Sequence, residues 1–229
     1  MSTPGTDGGA APTAADDPLP EALTLARGAA DAGLGLKLLG GLAVRVLCPE
    51  FPPRLRRDQD IDFACLSKER KKLAAHLESH GCLADRRFNN LNGDRQMYFN
   101  APSGRAIDVL LSKLQIVEMN QKDARDIIHL LSWLPLGGDG TSLDTGRYCA
   151  VLGADWGWWR TVTGNLAKLP QWLADHPELE PPGTRFNPLD QIQRLSELAD
   201  SAPKTVKWRM RASVGDRVRW YELPEEVAH

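Results

Sequence analysis

The sequence has no long apolar run, no paired cysteines and no large excess of either charge, and each absence excludes a class of protein. No segment approaches the roughly 20 consecutive apolar residues that a membrane-spanning helix needs, so we expect no membrane partner. Its four cysteines are widely spaced, without a CxxC pair, which disfavours structural zinc and disulfides and favours reduced thiols in a cytoplasmic protein. The net charge of −2 gives no overall signal for nucleic-acid binding.

The first 17 residues are rich in Gly, Ala, Thr, Pro and Asp. They lack the basic and apolar regions of a secretory signal, so we expect a disordered tail over residues 1–17.

Hydrophobic spacing predicts short helices and strands up to about residue 112. Helical spacing covers residues 19–32, 42–48 and 67–81, and strand-like spacing covers residues 36–39, 60–65, 95–100 and 105–111. From Lys113 the period becomes helical, with a break near Asn120, a loop over residues 135–139 and a helix-rich remainder punctuated by prolines such as Pro170. We therefore predict an α+β fold, with a mixed sheet and flanking helices over residues 18–112 and a helical domain over residues 113–229.

Two carboxylates and a glycine pair form the candidate site. Asp60 and Asp62 are two residues apart in a predicted strand, so their side chains share a face at roughly 6.5–7 Å. Like charges so placed favour a cation between them, and Mg²⁺ commonly uses one or two carboxylates with substrate phosphates. Gly40 and Gly41 stand between a predicted strand and a helix, where backbone N–H groups bind phosphate. Incidental acids at a strand edge, and a glycine pair that only ends a strand, are the alternatives.

Five ordered blocks of sequence span about residues 36 to 222. They are LLGGLAVRVLCPEFPPRLRRDQDIDF, HGCLADRRFNNLNGDRQMYFN, LLSKLQIVEMNQKDARDIIHLL, ADWGWWRTVTGNLAKL and VKWRMRASVGDRVRWYE. With the glycine pair, the Asp60-x-Asp62 motif and the later Asp108, they resemble the polymerase-β-like nucleotidyltransferase superfamily. They are most similar to the nucleotidyltransferase AbiEii-type family, which includes toxins of abortive-infection systems.

The resemblance implies a nucleotidyltransferase-like fold and transfer of a nucleoside monophosphate from an NTP to an acceptor hydroxyl. Two Mg²⁺ (or Mn²⁺) ions about 3.5–4 Å apart would be held by Asp60, Asp62 and Asp108. Asp108 would also be a base for the acceptor proton. The acceptor could be a tRNA, a protein or a small molecule, and an antitoxin is a further implied partner.

One departure from the family concerns the segment after Asp108. In the proteins that this chain resembles, a further segment follows the third carboxylate, whereas here residues 108–112 run directly into Lys113. Asp108 matches either the third carboxylate or the aspartate that precedes the LLLxKLQ motif in relatives. The departure motivates an alternative function, a catalytically degenerate protein of the same fold that binds a nucleotide or a partner.

Three further features have two interpretations each. Lys113 would either pair with the β- or γ-phosphate or be a surface lysine. Arg57 would reach the triphosphate, although Arg54 and Arg56 compete for that role and any of the three could simply be solvated. The histidine pair His76 and His80 favours a capping or surface role over metal binding, because a third ligand is missing.

Tryptophans and basic residues are concentrated in the C-terminal half. Trp156, Trp158 and Trp159 favour core packing over a base-stacking platform. A basic segment with two interspersed tryptophans would either cover an acidic half of the molecule or contact RNA or nucleotide phosphates, and the first interpretation fits the negative net charge better. Its basic residues are Lys204, Lys207, Arg209, Arg211, Arg217 and Arg219.

Overall fold

The computed structural model describes residues 17–51, 61–82 and 106–221. In this part the chain is mixed α/β and mostly helical, with two small two-stranded sheets. It divides into two compact units, residues 1–38 with 52–100 and residues 39–51 with 101–229. None of the described helices combines the length and the hydropathy that crossing a bilayer requires.

The first unit contains two helices and an antiparallel pair of strands in its described part. Its elements are α1 (Leu19–Asp31), β1 (Lys37–Leu38), β2 (Phe63–Ala64), a 3-10 turn (Ser67–Glu69) and α3 (Arg70–Ser79). Lys37 pairs with Ala64, and Leu38 pairs with Phe63. The Gly35 N–H donates a hydrogen bond of 2.9 Å to the Glu69 carboxylate, which ties the loop before β1 to the start of α3. The predicted helices and strands of residues 19–39 and 61–81 are confirmed, although both strands are shorter than expected.

The second unit consists, in its described part, of helices and a small parallel strand pair. Its elements are α2 (Gly40–Leu47), α4 (Ala106–Leu114), α5 (Gln121–Trp133), β3 (Leu136–Gly137), β4 (Leu143–Asp144), α6 (Thr145–Ala154), α7 (Trp156–Asp175), a 3-10 turn (Pro177–Leu179), α8 (Pro188–Ser201), α9 (Val206–Val214) and a 3-10 turn (Gly215–Arg217). Strand β3 lies within residues 135–139, which were predicted to form a loop, and it pairs with β4. Helix α7 continues through Pro170, because Leu166, Leu169 and Leu173 are buried on both sides of it.

Helix α4 is the centre of this unit and corrects the strand predicted over residues 105–111. Every residue from Ile107 to Leu114 is buried, and α4 packs against α2, α5, α6 and α7. The alternation of Ile107, Val109 and Leu111 suggested a strand. However, Ile107, Leu110, Leu111 and Leu114 also follow helical spacing, and burial on all sides makes the helical pattern the one that is realised. The domain boundary that we expect after residue 112 falls inside this helix.

Amide side chains complete the ends of the central helices. Asn165 of α7 donates to the carbonyls of Leu114 and Ile116 at 2.8 and 2.7 Å, where α4 ends. Gln191 of α8 donates to the Leu134 carbonyl at 2.9 Å, at the end of α5. Each of these carbonyls lies at or just beyond the C-terminus of a helix, where the regular helical hydrogen bonding ends, so the buried amides supply hydrogen bonds that the helix does not.

Candidate functional site

The glycine pair begins helix α2. Gly40 has φ of +63°, a left-handed conformation that favours glycine, and Gly41 follows it in the first turn. Leu39 occupies the N-cap position in extended conformation, and a leucine side chain has no atom that can accept from the first N–H groups. Leu42, Ala43 and Val44 are buried and anchor the helix. The prediction that glycines open a helix after a strand is confirmed, with the helix starting at Gly40 rather than at residue 42.

Asp62 is exposed and directly precedes β2. Strand β2 pairs with β1, and β1 ends two residues before Gly40 in the chain. Asp60, Arg57, Arg54 and Arg56 lie outside the described residues. The shared face of Asp60 and Asp62 therefore stays a prediction, as does the role of the arginines.

Asp108 lies in the core of the second unit, on a helix. Its Oδ1 accepts a hydrogen bond of 3.1 Å from Arg147 Nε on α6, and its side chain is 8% exposed. The other oxygen, Oδ2, is buried and has no hydrogen-bond partner among the residues that the structure describes. A carboxylate in this position neutralises Arg147 and joins α4 to α6. The structure thus gives Asp108 a cationic partner within the protein, in place of the strand position expected of a third metal ligand.

Lys113 is also buried, between two carboxylates of α5. Its Nζ lies 3.2 Å from Asp123 Oδ1 and 2.8 Å from Asp126 Oδ2, and each of the three side chains is 8% exposed. The contact with Asp126 is a close ion pair. Burial by itself would lower the pKa of Lys113, but the two carboxylates more than offset this effect and raise the pKa above its usual value. Lys113 is thus charged and internally paired, and the surface-lysine interpretation is wrong.

Asp123 has a second role at the start of α5. It forms a capping box with Asn120: Asn120 Oδ1 accepts from the backbone N–H groups of Lys122 and Asp123, and Asp123 Oδ2 accepts from the Asn120 N–H. The predicted break near Asn120 is therefore confirmed and has a local cause. Asp126 also interacts electrostatically with the Cys48 thiol. Burial, and to a lesser degree the charge of Asp126, raises the pKa of the Cys48 thiol to about 12.

The roles of Asp123, Asp126 and Arg147 as partners of the buried charges are not predicted from the sequence. One signal was present: Lys113 interrupts an apolar run, and a charge at a core position requires an opposite charge nearby. Asp123 and Asp126, three residues apart in the next helix, could have been predicted to supply that opposite charge.

The histidine pair lies within the first unit. The rings of His76 and His80 are 4.3 Å apart, and His76 Nε2 is 3.3 Å from the Leu25 carbonyl oxygen. Within the described ranges, no three His, Cys, Asp or Glu side chains are grouped so that they could hold a metal.

The tryptophans of the second unit pack against the C-terminal segment. Trp156 is buried and contacts Trp220 edge to face at 5.4 Å between ring centroids, and Arg211 lies over the Trp156 ring at 4.4 Å. Trp159 contacts Trp208 of α9 in the same manner at 5.3 Å. These contacts anchor α9 on α7.

Comparisons of the chain with protein-family models, with curated proteins and with solved structures found no match.

Proposed function

We propose that this protein is a Mg²⁺- or Mn²⁺-dependent nucleotidyltransferase of the polymerase-β-like fold that transfers a nucleoside monophosphate from an NTP, such as ATP, to an acceptor hydroxyl. The observation that carries the proposal is the start of α2, where Gly40 in left-handed conformation and Gly41 open a helix directly after a strand. Small residues at this position let phosphate oxygens approach backbone N–H groups and the positive end of the helix dipole.

Asp60 and Asp62 would hold the metal. The exposed carboxylate of Asp62 is a hard oxygen donor of the kind that Mg²⁺ prefers. A bound Mg²⁺ would neutralise charge on the phosphate oxygens during the transfer. In this proposal Arg57 contacts the triphosphate, while Asp108 and Lys113 act as structural charges of the helical core.

Pyrophosphate release tests the proposal. The wild-type protein is incubated with each NTP and Mg²⁺, in the presence of a tRNA pool, a protein mixture or small hydroxyl compounds. It is compared with the Asp60→Ala/Asp62→Ala double variant. A matched control, Asp31→Ala/Glu78→Ala, removes two exposed carboxylates from the same unit. We expect release by the wild type and the control but not by the first variant. Unchanged release in the first variant would refute the metal assignment.

A second candidate function is a catalytically degenerate protein that binds a nucleotide, or an antitoxin-like partner, without turnover. The observation that favours it is the engagement of Asp108 by Arg147, which leaves the third carboxylate of the resemblance paired within the protein. NTP binding by calorimetry, with no pyrophosphate release for any NTP or acceptor class, would support this function over the first.

A further inference from the structure

The outer face of α9 is an apolar ridge on a basic segment. Val206 and Met210 are 64% and 68% exposed, Val214 is 39% exposed, and each is four residues from the next. Residues at this spacing form a continuous ridge along one side of a helix. The opposite side of α9 faces the protein, because Trp208 packs on Trp159. Large exposed hydrophobic residues are concentrated here: among the described residues they are Val46, Phe186, Leu189, Val206, Met210, Val214 and Val218.

Cations border this ridge on both sides. Lys207 and Arg209 are exposed and lie on opposite sides of Met210, at helical angles of about 60° and 100°. Six basic residues and one acid, Asp216, lie between residues 204 and 219. The Asp216 carboxylate already accepts two hydrogen bonds from Arg160 Nε and one from Arg160 Nη2. This acid is therefore already paired with Arg160, and the basic residues of the segment outnumber it six to one.

We propose that this ridge docks an amphipathic helix of another protein that carries glutamate or aspartate beside its apolar stripe. An apolar ridge of four-residue spacing fits the groove of a second helix, and acidic flanks complement Lys207 and Arg209.

Two other kinds of occupant fit the face less well. Single-stranded RNA binds by stacking its bases on aromatic rings, but Trp208 and Trp220 are packed edge to face on Trp159 and Trp156. Helices that lie in a membrane surface present Trp, Phe or Leu on the apolar side, whereas this ridge consists of valine and methionine. The protein helix is the occupant that uses both the aliphatic ridge and the cations.

The test uses two synthetic peptides of about 15 residues, long enough for a helical stripe. Both carry leucines at helical spacing; one has flanking glutamates and the other has flanking lysines. Binding to the full chain is measured by fluorescence anisotropy. We expect saturable binding of the glutamate peptide, which weakens as salt increases, and none of the lysine peptide.

Variants then locate the site. Met210→Glu should weaken binding of the glutamate peptide by about tenfold or more. The matched control Leu189→Glu changes an exposed leucine on α8 and should leave affinity within about twofold. Lys207→Glu should weaken the glutamate peptide and strengthen the lysine peptide. Such a reciprocal change cannot result from unfolding, and melting temperatures should match the wild type because all three positions are exposed.

Several results would overturn the proposal. One is no saturable binding of the glutamate peptide up to about 1 mM, a range that covers weak complexes. Another is equal affinity for both peptides. A third is a loss of affinity for the glutamate peptide that is as large in Leu189→Glu as in Met210→Glu. Dimers of the wild type that Met210→Glu dissociates would make a second copy the occupant. Binding of anionic vesicles or single-stranded RNA that Met210→Glu abolishes, without peptide binding, would assign the face to a membrane or to RNA.

Discussion

Replacing Lys113 with methionine gives the sharpest test of the buried charges. Methionine has a similar length and no charge, so Lys113→Met leaves Asp123 and Asp126 buried without a cation. Removing one partner of a buried ion pair typically costs about 3–5 kcal/mol in the free energy of unfolding. For a protein of this size, each kcal/mol lowers the melting temperature by roughly 2–4 °C, so the expected decrease is roughly 6–20 °C at pH 7.

Lys122→Met is the matched control. Lys122 lies nine residues after Lys113, on α5, and is exposed, so its loss should change the free energy of unfolding by less than about 0.5 kcal/mol. Thermal unfolding is followed by circular dichroism or calorimetry for both variants. Equal melting temperatures for Lys113→Met and Lys122→Met would refute the assignment of Lys113 to the core. Normal melting combined with weakened NTP binding would instead support contact between Lys113 and a phosphate.

The effect of pH on the same variant has a definite sign. In the wild type, its two carboxylate partners raise the pKa of Lys113 above the usual value of 10.5. The contribution of Lys113 to the free energy of unfolding is fully present below that pH and is lost as pH rises through the folded-state pKa. The stability difference between wild type and Lys113→Met should therefore be constant near neutral pH and shrink at alkaline pH. A difference that grows as pH rises would contradict the reasoning.

Two further predictions concern contacts within the second unit. A Cβ on Gly153 would clash with the Pro203 carbonyl oxygen, so Gly153→Ala should destabilise by about 1–3 kcal/mol in chemical denaturation, despite alanine's higher helix propensity. At Gly164 the nearest atom is Arg160 Nη1 at 3.3 Å, at the end of a long side chain that is 38% exposed and needs to shift by only a few tenths of an ångström. Gly164→Ala should therefore be much less destabilising than Gly153→Ala, and the reverse order would contradict this packing. Arg147→Met should lower the melting temperature more than Asp108→Asn, because only the former leaves a buried carboxylate unpaired. If Asp108→Asn abolished pyrophosphate release without lowering the melting temperature, that result would support a catalytic role for Asp108 instead.

Local signals explain which parts of the fold were predictable. The glycines at the start of α2 and the asparagine before α5 act within one turn of a helix, so the sequence contains both the residue and its effect. Helix α4 was mistaken for a strand because its run of buried residues satisfies both periods. Only the surrounding helices decide between them.

The buried charges were less predictable, since their partners are distant in the chain. Asp108 and Arg147 are 39 residues apart and belong to different helices. Sequence spacing identifies Asp108 as a carboxylate in an apolar context, but an apolar context suits a catalytic acid and a buried ion pair equally. The choice between the two depends on which side chain α6 presents to α4, and this is a property of tertiary packing.

Assigning Asp108 and Lys113 to the core changes what the proposed site can do with a metal. Two carboxylates, Asp60 and Asp62, then remain as protein ligands, whereas Mg²⁺ prefers six oxygens and completes its shell with water and substrate phosphates. The metal and the NTP should therefore bind together: Mg²⁺ alone should leave the melting temperature nearly unchanged, and Mg²⁺ with ATP or another NTP should raise it. At a concentration 100 times the dissociation constant, the stabilisation is about 2.7 kcal/mol, and it should vanish in Asp60→Ala/Asp62→Ala. Strong stabilisation by Mg²⁺ without nucleotide would mean that a third carboxylate completes the site.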